Sequence, residues 1–212
     1  MAKTILFQGD SITDCGRERT QPEELGRGYP RLIASELGFD TPEEYTFYNR
    51  GISGNRIVDV YARIKADIIN LKPDVMSLLI GVNDVWHEID CQNGVSTEKF
   101  EKIYNLLIQE IKAALPDIKI LIMEPFVLPG SATCDQEDMP DRWNRFSSDV
   151  YAHAAAAKRV AEANGLSFVQ LQDQFTELDA KHPGIWLVDG VHPTAFGHQL
   201  IKRQWLKAFS KL

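Results

Sequence analysis

Val75-Met76-Ser77-Leu78-Leu79-Ile80, followed by Gly81-Val82-Asn83-Asp84, is the stretch that decides the fold. Apart from one serine the first six residues are apolar, so the segment has no wet face. A strand covered on one side alternates. A continuous apolar run ended by a glycine reads as the central strand of a parallel sheet with helices on both faces. The neighbouring segments supply such helices. Upstream, Ile57 to Leu71 sets Val60, Ile64, Ile68 and Leu71 on one stripe. Downstream, Thr97 to Leu115 is helical and can be capped by Ser96 or Thr97.

The alternation continues in both directions. Ile5-Leu6-Phe7 within Thr4–Gln8, Tyr45 to Tyr48, Ile118 to Met123 and Leu166 to Val169 read as four more strands. Tyr29 to Leu37, Arg142 to Asn164 (ended by Gly165) and Thr194 to Phe209 read as helices. Five strands alternating with helices predict an α/β fold built on a parallel sheet. No repeat, low-complexity tract or linker divides the chain, so residues 1–212 are expected to form a single domain.

The bulk properties agree and narrow the function. The 212 residues are 44 % hydrophobic and 25 % charged, enough for a real core without disulfides or metals. A net charge of −7, with the acids scattered, argues against nucleic acid and against anionic membrane surfaces as partners. Three cysteines without a CxxC give neither a disulfide framework nor a zinc knuckle. Cys15, four residues after Ser11, reads as a small apolar filler, with a reactive thiol as the lesser alternative. The first strand begins at once, leaving no room for a signal peptide, and no apolar run approaches a membrane span; a cytoplasmic location is expected. No cofactor or metal is expected.

In a parallel sheet the chemistry gathers beyond the carboxyl ends of the strands. Four segments there matter: Gly9-Asp10-Ser11, Asn49 to Asn55, Gly81-Val82-Asn83-Asp84, and Asp189-Gly190-Val191-His192-Pro193 near the far end. Two long loops, Trp86 to Ser96 and Pro125 to Asp141, are expected on the same side. A serine hydroxyl is a weak nucleophile that needs a base within hydrogen-bond reach and donors aimed at the developing oxyanion. Ser11, on a strand-to-helix turn, can receive both, although Gly-Asp-Ser alone is more often a capping turn. Asp189 and His192, three residues apart on a turn, can pair so that the carboxylate fixes the imidazole tautomer. His87, in the Trp86 loop beside Glu88, is the nearest rival base. Gly54 suits close approach of backbone to a ligand, and its N–H is a candidate oxyanion donor. The Asn83 side chain can serve the same oxygen or merely close an Asx turn. Trp86 can floor a sugar subsite or anchor its loop. Arg56 can bind substrate or, the favoured alternative, brace the loop. With Asp10, these two complete the candidate substrate contacts.

These blocks, in this order, resemble the SGNH (GDSL) hydrolase family, and the resemblance spans nearly the whole chain. It implies a flavodoxin-like three-layer α/β/α fold with a five-stranded parallel sheet. It also implies Ser11 as nucleophile, His192 as general base and Asp189 as its orienting acid. The oxyanion hole would be the Ser11 N–H, the Gly54 N–H and the Asn83 side chain. No Gly-x-Ser-x-Gly elbow is present, which disfavours an ordinary α/β-hydrolase. Asp10 to Arg17, Gly51 to Asn55 and Gly81 to Trp86 are similar to bacterial acetylxylan and acetylxylo-oligosaccharide esterases. Val188, however, stands where those members carry tryptophan before the aspartate. The resemblance thus implies a serine esterase for short acyl groups, an acetylated oligosaccharide as substrate, and homo-oligomers as a recurrent assembly. Trp143, Phe146 and Tyr151 on one helix are candidates for a contact surface or for core. Two other readings compete: a lysophospholipase- or thioesterase-like lipolytic hydrolase, and a metal-dependent deacetylase using Asp10, Asp14, Asp189 and His192. A degenerate binding module is a third, and the four intact blocks argue against it.

Overall fold

Each strand sends its residues alternately to two separate cores. Ile5 and Phe7, Val75 and Leu79, and Leu121 and Met123 enter one; Leu6, Met76 and Leu78, and Ile120 and Ile122 enter the other. That is the two-sided burial anticipated for Val75–Ile80. The computed structural model describes residues 2–212. In chain order the elements are β1 (Lys3–Gly9), α1 (Ser11–Asp14), α2 (Tyr29–Asp40), β2 (Tyr45–Asn49), α3 (Ile57–Ala62), α4 (Ile64–Asp67), β3 (Val75–Leu79) and α5 (Val82–Cys91). Then follow α6 (Thr97–Ala114), β4 (Lys119–Met123), α7 (Arg142–Ala163), β5 (Ser167–Val169), α8 (Gln172–Lys181) and α9 (Ala195–Phe209). The strands form one sheet in the order β2-β1-β3-β4-β5, every pair parallel.

Helices α2 and α9, with Phe175 of α8, cover the first core. Trp205 of α9 is fully buried beside Phe7, ring centroids 5.7 Å apart. Helices α3, α4 and α6, together with Ala156, Ala157, Val160 and Ala161 from the second half of α7, cover the other. The result is the expected three-layer α/β/α sandwich. No described helix is long and apolar enough to cross a membrane.

Four details differ from the sequence reading. The segment 57–71 is not one helix: it stops at Arg63, restarts as α4, and ends in a 3-10 turn at Ile69–Leu71. The breaks keep Ile57, Val60, Ile64 and Ile68 all buried against the sheet. The expected loop Trp86–Ser96 is mostly helix. Val82, Val85 and Ile89, spaced three and four apart, are buried and hold α5 on the core, so only residues 92–96 form the loop. Helix α8 was not expected, because only Phe175 and Leu178 mark its apolar side. Finally, Trp143, Phe146 and Tyr151 do not form one aromatic surface: Phe146 is core, Trp143 packs half-buried on it, and Tyr151 is exposed.

Candidate active site

The strand order places a crevice between β1 and β3. From β1 the chain goes to β2 on one side; from β3 it continues to β4 on the other. The loops leaving the carboxyl ends of these neighbours therefore diverge and leave space between them. Ser11 follows β1 and Asn83 follows β3.

The nucleophile turn is shaped by Gly9 and Asp10. A Cβ on Gly9 would lie 2.3 Å from the Leu79 carbonyl oxygen and 2.5 Å from Thr13 Oγ1, so only glycine lets the two strands and the turn meet this closely. Asp10 caps the single turn of α1, its Oδ1 accepting the Ile12 N–H at 3.0 Å. Cys15 ends the turn at φ +40°, its N–H returning to the Ser11 carbonyl.

The second loop is stitched onto that turn. Asn49 donates from Nδ2 to the Thr13 and Leu25 carbonyls at 2.6 and 2.8 Å, and its Oδ1 accepts the Gly51 N–H at 2.9 Å. The Ser53 N–H donates to Asp14 Oδ2 at 3.1 Å. Gly54 then sits at φ +81° with open space where a Cβ would point. Asn83, in the first turn of α5, donates from Nδ2 to the Asn55 carbonyl at 3.1 Å, which leaves its other amide proton free. Neither the Ser11 nor the Gly54 N–H is spent on another protein acceptor among the described residues. The Ser11 and Gly54 N–H groups and one Asn83 amide proton are thus left without a protein acceptor among the described residues.

The base arrives from the opposite end of the chain. Asp189 Oδ1 accepts the Val191 and His192 N–H groups at 2.9 and 2.8 Å, and its Oδ2 accepts His192 Nδ1–H at 2.7 Å. This leaves Nε2 as the acceptor, 2.9 Å from Ser11 Oγ. His192, not His87, is therefore the imidazole at the serine. The loop is clamped by 125–141, the long connection foreseen in the sequence. Leu128 N–H donates to the Gly190 carbonyl and Ala132 N–H to the Asp189 carbonyl, both at 2.9 Å. A Cβ on Gly130 would lie 2.3 Å from the Asp189 carbonyl carbon.

The electrostatics follow from these contacts. Partial burial pushes the Asp189 carboxyl up, but hydrogen bonds from the imidazole and from the His192 and Val191 N–H groups outweigh it and hold the group at about 2. His192 is raised from its ordinary value, chiefly by the Asp189 hydrogen bond and against its own burial, with the charges of Asp189 and Asp10 adding. A carboxylate held ionised beside a histidine made more basic is the arrangement that lets Nε2 take a proton from the hydroxyl.

The three candidate substrate contacts fall in different places. Trp86 is half-buried at the site, its ring 5.9 Å from His192 and 5.7 Å from Phe146. Its indole N–H donates to Asp90 Oδ2 at 2.7 Å, and Asp90 Oδ1 pairs with the buried Arg142 at 2.6 Å. The guanidinium of Arg56 is engaged by Asp59 and by the Asn93 carbonyl and side chain, which is bracing. Asp10 is only 1 % exposed, with its carboxyl turned into the protein, so it has no surface to offer a ligand. Nor do Asp10, Asp14, Asp189 and His192 converge: among the described residues no group of three or more His, Cys, Asp or Glu is arranged to hold a metal ion.

Sequence reasoning did not single out Asn49, Asp90, Arg142 or Gly130. Gly130 acts through backbone contacts that carry no motif, and Arg142 pairs with Asp90, 52 residues away in sequence. Asn49 lies inside the Asn49–Asn55 segment, and only its hydrogen bonds to Thr13, Leu25 and Gly51 reveal that it holds the loops together.

The profile described as the GDSL-like Lipase/Acylhydrolase family matches residues 7–200. An acetylxylan esterase of Geobacillus stearothermophilus is 36 % identical over 96 % of this chain and 92 % of its own length. A GDSL-like lipase structure from Parabacteroides merdae superposes with a TM-score of 0.89 at 34 % identity, covering 99 % of this chain and 97 % of the other. A catalytic mutant of the Geobacillus stearothermophilus esterase superposes with a TM-score of 0.80 at 32 % identity, over 98 % of this chain and 95 % of that one. The agreement in sequence and fold runs over nearly the whole chain, so this protein belongs to the GDSL-like lipase/acylhydrolase family and is a carboxylic ester hydrolase.

Proposed function

We propose that the protein removes short acyl groups, acetyl above all, from carbohydrate esters through an acyl-serine intermediate. The observation that carries the chemistry is the continuous hydrogen-bonded series Ser11 Oγ–H to His192 Nε2, and His192 Nδ1–H to Asp189. Ser11 Oγ attacks the ester carbonyl carbon while Nε2 takes its proton. The carbonyl oxygen gains the negative charge and receives the Ser11 N–H, the Gly54 N–H and the Asn83 amide. Collapse breaks the bond to the alcohol oxygen, to which imidazolium returns the proton. Water, deprotonated by the same nitrogen, then releases the acid and restores the serine. Asp189 stays ionised and steadies the imidazolium throughout.

Support for the carbohydrate as substrate is twofold. The relative described as an acetylxylan esterase aligns over most of both chains. In addition, Trp86 offers an indole beside His192, held in place by Asp90 and Arg142, against which a sugar ring can pack. Structures of that esterase described as catalytic mutants replace a serine, an aspartate and a histidine, the residue types proposed here.

The test is to rank acid release from acetylated xylo-oligosaccharides, aryl acetates and phospholipids, with Ser11→Ala as control. Fastest release from the acetylated sugars, abolished in the variant, is expected. Preference for phospholipids would replace the substrate assignment, and unchanged turnover by Ser11→Ala would overturn the mechanism.

A further inference from the structure

Asp10 and Ser11 are adjacent, yet they face opposite surroundings. The Ser11 hydroxyl opens on the crevice. The Asp10 carboxyl lies in the interior, where Oδ1 accepts the Ile12 N–H and Oδ2, wholly enclosed, has no partner. An enclosed carboxylate oxygen without a donor is costly, and a cap needs no carboxylate: serine or asparagine would accept the Ile12 N–H as well. Capping alone therefore does not account for a charged group at this position. Its neighbours do. The next residue, Ser11, is hydrogen-bonded to His192 Nε2 at 2.9 Å, which brings the imidazole near Asp10, and the two act on each other electrostatically. Asp84 of α5, also buried, bears on it through its charge, and its two carboxylate oxygens share the Ile57 N–H at 3.1 and 3.2 Å. The Tyr29 phenol of α2 also feels the Asp10 charge, and its hydroxyl is bonded to Thr13 at 2.9 Å. His192 in turn faces Asp189, Asp10 and the buried His198.

We infer that Asp10 is a positioning residue for the ester hydrolysis: it fixes the turn that aims the Ser11 hydroxyl and N–H, and its carboxylate supports the imidazolium that His192 becomes when it takes the serine proton. The inference rests on the proposed roles of Ser11 and His192. Imidazolium would then be stabilised by two carboxylates, one bonded and one remote. Asp189 holds its Nδ1 proton and Asp10 acts at longer range through the interior. Burial raises the Asp10 carboxyl to about 7, against the Ile12 N–H and the His192 charge, so each group feels the ionisation of the other.

The decisive variant is Asp10→Asn, which keeps the acceptor for Ile12 and removes the charge. On an acetyl ester we expect kcat to fall about tenfold or more with KM changed less than about twofold, because the group touches no substrate. We also expect the acid limb of kcat/KM to move to lower pH, because a negative charge that raises His192 has been removed. Asp10→Ser, a smaller cap, should show the same shift of the limb. Lower kcat with an unmoved limb in both variants would make Asp10 merely structural and overturn the inference. If neither variant folds, carboxyl-carbon NMR of the wild-type chain decides: Asp10 should titrate in two steps, one coincident with His192, and a single step independent of it would overturn the inference. An inactive Ser11→Ala beside an unmoved Asp10→Asn limb would remove this inference alone. An active Ser11→Ala would remove the reading beneath it.

Discussion

His192 and His198 come from the same stretch of chain, and each reaches the turn that follows β1, yet the protein makes opposite use of them. His192 donates to a carboxylate, stands half-exposed at Ser11, and is made more basic. His198 is 5 % exposed. Its Nδ1 accepts the Tyr29 N–H at 3.2 Å, and Nε2, which then carries the proton, points at Cys15 Sγ 3.4 Å away. Burial, with the His192 charge adding, lowers it to about 4. One imidazole is placed to accept a proton and the other to stay neutral. The difference lies in the carboxylate bonded to the first ring and in the deeper burial of the second, which has no carboxylate partner.

The largest expected effect separates the two directly. His192→Gln should lower kcat by several orders of magnitude, on the order of 10⁵, by analogy with base removal in other serine hydrolases. His198→Gln should stay within about tenfold of wild type on an aryl acetate. Comparable losses in both would erase the distinction. Next in size is Asp189→Asn, which keeps the shape but changes what His192 Nδ1 faces. A fall of roughly 10⁴ in kcat is expected, since the amide can hold the wrong tautomer.

A smaller effect concerns stability, where the two histidines have opposite signs. His198 is lowered in the folded state, so the unfolded chain binds the extra proton between its ordinary value near ~6.5 and about 4. The fold should therefore lose stability as pH falls through that window, and His198→Gln should lessen the loss. His192 is raised, so its contribution is complete below the ordinary value and disappears as pH rises through its folded one. Melting curves of wild type and His198→Gln from pH 7 to pH 4 check this: a constant gap in Tm across the range would contradict it.

The same pair shows how far the sequence could be read. His192 was recognisable because Asp189 lies three residues before it on a Gly-containing turn, a local pattern that survives any tertiary context. The strands were recognisable for a similar reason: Val75–Ile80 states its two-sided burial in its own composition. What escaped depends on partners remote in sequence. His198 acquires its character from Tyr29 and Cys15. Trp86 is held through Asp90 by Arg142, which sits at the start of another helix. Helix α5 was hidden because Gly81, Asn83 and Asp84 read as a loop motif, although Val82, Val85 and Ile89 carried helical spacing. Asp10 was misplaced as a substrate contact because adjacency to Ser11 says nothing of which way a side chain turns at a helix N-cap.

The central claim, that His192 activates the Ser11 hydroxyl, is tested most directly by a fluorophosphonate followed by peptide mass mapping of the wild type and of His192→Ala. A single adduct on Ser11, formed orders of magnitude more slowly without the imidazole, is the result predicted. An adduct on another residue, or labelling of Ser11 at an equal rate in both proteins, would contradict it.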